Sequence, residues 1–179
     1  SIEEMLKRVK EESKRSNDKI RDVLRKVEET SRRSKERIDK LLRDVERTVE
    51  EVIRDVKADE SIVRDLKRIL EKLREDVERT KRRDDERLEK LKRDVKREED
   101  RDREDNERLE RETRKSRRPE KDVLDRLRRY VEENRRRVEK LIRDLEDAVR
   151  RNEDDARRVA KEIEDVVREI KDRVDKTRT

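Results

Sequence analysis

Two triplets of polar side chains recur at a fixed interval in this chain: Ser16, Asp102 and Asn134, and then Ser34, Asp84 and Asn152. Each member of one triplet stands eighteen residues from its counterpart in the other. A hydroxyl, a carboxylate and a carboxamide can do two kinds of chemistry together. Their oxygens can hold a hard cation, or the Ser O–H and Asn N–H can saturate the Asp acceptor in a closed hydrogen-bond network. A calcium cage takes about six to eight oxygens, so three side chains are too few. The network is the expected reading, and no metal or cofactor is assigned.

The rest of the composition removes other chemistries. The 179 residues include 60 Lys or Arg and 54 Asp or Glu, with no His, Cys, Gly, Trp or Phe. Without His or Cys there is no Ser-His-Asp or Cys-His nucleophile, no thiolate and no zinc finger. Without Gly there is no loop that cradles phosphate. The expectation is that the chain is not an enzyme. No apolar run exceeds two residues, which falls far short of a membrane span or a signal-peptide core. A soluble chain with no targeting signal follows, cytoplasmic if expressed recombinantly.

Basic runs at 111–121 and at Arg135, Arg136 and Arg137 would attract nucleic acid, but acids interleave almost everywhere and the net charge is only +6. A dedicated basic stripe is missing, and Tyr130, as the single aromatic residue, is no stacking platform. No specific nucleic-acid binding is expected. Tyr130 shares its slot in the repeat with Ala148 and Val166, which marks it as a packing residue.

Low apolar content with high charge is the signature of disorder, yet periodicity overrules it. In the N-terminal third the series Ile2, Met5, Leu6, Val9, Ser13, Ser16 recurs as Ile20, Val23, Leu24, Val27, Ser31, Ser34, and then as Ile38, Leu41, Leu42, Val45, Val49, Val52. At about 100° per residue these positions fall in one stripe roughly 100° wide, the apolar face of a core-facing helix. The C-terminal third repeats likewise from Val123 to Val174. The middle third is more ragged, and from Lys96 to Arg108 it has no apolar residue. Eighteen residues make five turns at 3.6 per turn, so the stripe predicts straight helices with almost no supercoil.

Matched positions then fix the connections. Ser16 and Asp102, Ser34 and Asp84, and Val52 and Leu66 are each equidistant from residue 59, while Asp102 and Asn134, Asp84 and Asn152, and Leu66 and Ile170 are equidistant from residue 118. Two antiparallel hairpins are predicted, turning at Asp59 and beside Pro119. Ser1 and Glu4 have the spacing of a capping box, and Pro119 suits the first turn of a helix. The expected fold is all-α: one domain over 1–179, a straight, elongated up-down-up three-helix bundle with helices at about 2–57, 60–116 and 119–177. At 1.5 Å per residue such helices are roughly 85 Å long.

Untwisted eighteen-residue repeats, the lack of glycine, dense Arg, Lys, Glu and Asp surfaces, and isolated Ser, Asp and Asn layers resemble de novo designed, parametric three-helix bundles with buried hydrogen-bond layers. The likeness extends over the whole chain. Spectrin-type repeats are the nearest natural lookalike, but they carry aromatic core residues absent here. The resemblance implies a structural scaffold without natural biochemical activity or required partners, its polar layers setting helix register. The alternative is a designed interaction or oligomerisation subunit, pairing with a second copy or a partner helix through the polar half of helix two.

Overall fold

The computed structural model describes residues 1–55 and 60–177. Three long helices pack against one another: α1 (Ile2–Asp55), α2 (Glu60–Lys115) and α3 (Glu120–Thr177). The chain is therefore an all-α three-helix bundle, with no strand among the described residues. None of the helices contains a glycine or an internal proline, the two residues that most disfavour a helix interior. The α1 start is capped as its spacing predicts: the Glu4 amide donates to Ser1 Oγ at 3.3 Å and the Met5 amide to the Ser1 carbonyl at 3.1 Å. Glu3 and Glu4 in the first turn, and Arg114 and Lys115 in the last turn of α2, complement the helix dipoles.

The predicted ends need small corrections. Pro119 precedes α3 instead of opening it, because its carbonyl already accepts the first helical bonds, from the amides of Asp122 (3.0 Å) and Val123 (3.3 Å). This is the half-in position that needs no N–H from its own residue. The helix thus begins at Glu120, and α2 stops at Lys115. The expected end of α1 at 57 and the turn at Asp59 lie outside the described residues.

Contacts divide the chain into two compact units, each built from all three helices: Ser1–Glu28 with Leu88–Ala148, and Glu29–Arg87 with Val149–Thr179. In the second unit Ile38, Val45, Val49, Leu66, Leu73, Val77, Val159, Ile163 and Ile170 form a continuous buried cluster. Aliphatic side chains of this size contribute about 1.5–3 kcal/mol each when fully buried. Its ion pairs report the pairing directly. Lys35–Asp85, Lys81–Asp39 and Arg74–Glu46 join α1 to α2, all symmetric about residue 60, and Arg173–Asp65 joins α3 to α2 symmetrically about 119. Both centres lie one residue beyond those read from the core positions. Ser34 bonds Asn152 across α1 and α3, at the offset that a parallel pair of helices requires.

The first unit has the same pairing, with Arg21–Glu99 and Lys10–Glu110 again symmetric about residue 60. One end of its core is a small cluster of Leu6, Leu109, Val123 and Leu127, with Tyr130 packed against it. Further along, Ile20, Leu24, Leu91, Val95, Val138 and Leu145 are buried. Between them α2 offers only polar side chains from Lys96 to Arg108, and it is Asp102 that is buried there, 3% exposed. Sparse apolar contact lowers the cost of local opening. Amides of 96–108 are therefore expected to exchange at least tenfold faster than those of 66–77, measured by hydrogen exchange with mass or NMR detection; equal protection would contradict this.

Candidate functional site

In the first unit the polar layer centres on the Asp102 carboxylate. Ser13 Oγ donates to its Oδ1 at 3.1 Å, Asn17 Nδ2 to its Oδ2 at 3.3 Å, and the Tyr130 hydroxyl to Oδ1 at 3.2 Å. Asn106, one turn along α2, donates its Nδ2 to Ser13 Oγ at 3.1 Å and offers Oδ1 to Tyr130 at 3.3 Å. Donors from α1 and α3 thus converge on one acceptor of α2. Burial and the negative charges of Asp102 and Asp105 hold the Tyr130 hydroxyl far above the usual phenol range. Tyr130 is a donor at any ordinary pH, because its ionised form would face those charges.

Asn134, expected to complete this layer, is buried, but its Oδ1 accepts no hydrogen bond. One turn on, Arg137 reaches between two half-buried carboxylates, with Nε 3.6 Å from Glu98 and Nη2 3.7 Å from Asp105. Ser16 is half-buried and takes no part in the bonds to Asp102. An open groove of about 520 Å³ runs beside the layer, lined by Lys14, Asn17, Asp102, Arg103 and Asn106 among others.

The second unit handles the same residue types differently. Ser34, Asp84 and Asn152 are all buried, but the Ser34 hydroxyl donates to the backbone carbonyl of Asn152 at 3.2 Å, and Asn152 Nδ2 donates to Thr30 Oγ1 at 3.3 Å. Those bonds tie α1 to α3 without involving the carboxyl group. Asp84 instead meets Arg87 Nη1 at 3.4 Å and the carboxyl of Asp155. Burial pushes the Asp84 carboxyl up to about 7, the hydrogen bond and charge of Asp155 push the same way, and Arg87 and Lys35 oppose them.

No family model, curated protein or solved structure matches this chain. The chemistry of the site is accordingly read from its own atoms. Among the described residues no group of three or more Asp, Glu, His or Cys side chains is placed to hold a metal ion, and no helix is long and apolar enough to cross a membrane. What the layers hold is hydrogen bonds and, at Asp84, a carboxyl group whose pKa burial raises.

The sequence pattern singled out Ser16 as the Asp102 partner, yet Ser13 and Asn17 fill that role. The reason is angular. At about 100° per residue Ser13 and Ser16 straddle the middle of the stripe, roughly 60° apart, and Asn17 lies roughly 40° beyond Ser13 on its side. Asn17 shares its flank with Lys10 and Arg21, which pair with α2. Ser16 shares its flank with Glu12, which pairs with Arg135 of α3. Ser34 and Thr30, eighteen residues after Ser16 and Glu12, occupy that same α3-facing flank. Periodicity locates the stripe but does not say which neighbour stands on which side. Asn106 and Tyr130 carried a usable signal in their positions, since they are equidistant from residue 118; Asp155, on the edge of its stripe, carried none.

Proposed function

We propose that this chain is a de novo designed structural scaffold with no natural biochemical activity, and that its polar core layers specify helix register. The observation that carries this reading is the convergence of Ser13, Asn17 and Tyr130 on Asp102. In a bundle of repeated aliphatic layers, a slip by one repeat costs little unless it strands buried polar groups. Each stranded group costs about 1–3 kcal/mol, so the layers discriminate among alignments that hydrophobic burial alone leaves nearly equal. The eighteen-residue repeat over most of α1 and α3 supports the same reading, as does the lack of any large exposed apolar side chain among the described residues.

A second reading, a designed interaction or oligomerisation subunit, is favoured by the groove beside Asp102 and Asn106 together with the wholly polar α2 surface around it. Mass distinguishes the two. Sedimentation equilibrium is expected to return the 22.2 kDa of a single chain from micromolar to near-millimolar concentration. A mass that climbs toward twice that value, and that Asn17→Ala and Asn106→Ala restore to one chain, would instead establish the subunit reading.

A further inference from the structure

The α2–α3 face of the second unit brings two acids under a single cation. Arg87 Nη1 lies 3.4 Å from Asp84 Oδ1 and 4.0 Å from Asp155 Oδ2, so both carboxyl groups meet the same guanidinium nitrogen. Ionised carboxylates are acceptors only. A hydrogen bond between two of them therefore requires that one carry a proton. Asp84 is 4% exposed, and the Ser34 and Asn152 bonds within the layer run to the Asn152 carbonyl and to Thr30.

The charged groups facing the pair come from every helix. From α1 there is Lys35, which also pairs with Asp85. From α2 there are Arg87 and Asp85. From α3 there is Asp155, which Arg158 Nη2 approaches at 3.7 Å while also donating to Thr80. Lys35 and Arg158 are thus each shared with another partner, which leaves Arg87 as one positive charge for two acids.

We propose that Asp84 and Asp155 form a proton-binding pair that makes the opening of this unit respond to pH near neutrality. With one proton between them, the carboxyl groups bond to each other beneath Arg87 and close the contact between α2 and α3. When the proton leaves, two adjacent anions remain, one of them buried, and the contact loosens. The inference does not depend on the scaffold reading; it holds for this packing whatever the chain is for.

The direction of the pH effect follows from linkage. The Asp84 carboxyl rises from 3.8 to about 7 on folding, so between those values the folded unit binds more proton than the unfolded chain. Stability contributed by the pair is complete below about pH 4 and is lost as pH rises through about 7. This is opposite to the usual behaviour of a carboxylate paired with a cation.

The test is a carboxyl ¹³C NMR titration of the full chain from about pH 3 to 9, assigned with Asp84→Asn and Asp155→Asn. One carboxyl of the pair is expected to titrate near neutrality. Asp155→Asn, which removes the charge and can donate an N–H to Asp84, should weaken the proton affinity of Asp84 at least tenfold. The urea midpoint of the parent should fall between pH 5 and 8, and that of Asp84→Asn should not fall in step. Titration of both carboxyls below about pH 5 overturns the proposal, and this arm requires only the parent protein.

Discussion

Asp102→Leu is expected to lower the unfolding free energy by roughly 2–4 kcal/mol, although it places an aliphatic residue in a buried position. Three donors end on this carboxylate, from Ser13, Asn17 and Tyr130, and a hydrogen bond to a charged group contributes about 1.5–3 kcal/mol net. Burying the leucine returns about 1.5–3 kcal/mol, Tyr130 still has Asn106 within reach, and half-buried Asn17 can turn to solvent. Ser13, 4% exposed, keeps the bond it accepts from Asn106 but loses the acceptor of its O–H. The loss should appear in the urea midpoint with little change in the slope, because the surface exposed on unfolding is almost the same.

The converse result is expected in the other unit. Exchanging Ser34, Asp84 and Asn152 together for the Val, Leu and Ile that stand at 52, 66 and 170 should keep the fold and raise its stability by about 1–4 kcal/mol, the usual gain when buried ionic groups give way to well-packed aliphatics. Val52, Leu66 and Ile170 already sit in or against the aliphatic cluster of this unit, so the replacement layer copies one that packs there. The gain comes mostly from Asp84. Its carboxyl is desolvated and stands against Asp155, whereas the Ser34 and Asn152 bonds to each other and to Thr30 are satisfied. Asn152→Ile alone should cost about 1–2 kcal/mol, with the lost Thr30 bond one contribution.

Much of this architecture is written into the order of residues. The stripe of Ile20, Leu24, Val27 and Ile38 in α1, and that of Leu127, Leu145, Val159 and Ile170 in α3, are buried as the repeat requires. The equidistant pairs place each hairpin to within one residue, because charged flanking pairs such as Arg21–Glu99 and Arg74–Glu46 obey the same symmetry as the core. The polar layers were only partly legible. Burial of Asp102, Asp84, Asn134 and Asn152 follows from their stripe positions, but their bonds depend on which flank of α1 faces α2 and which faces α3. A one-dimensional repeat carries no such handedness. For the same reason Tyr130, read as packing alone, proves to be a donor as well. Asp155, on the edge of its stripe, stands beside a buried acid.

Two layers of the same three residue types do different work: one closes on the Asp102 carboxylate and ties its unit together, the other holds a carboxyl pair that loosens its unit as pH rises. A single urea series at about pH 7.5, above the raised Asp84 value, tests it with one substitution made twice. Asp102→Leu should move the midpoint down and Asp84→Leu should move it up, each relative to the parent. Movement of both midpoints in the same direction, or no movement in either, would contradict the account.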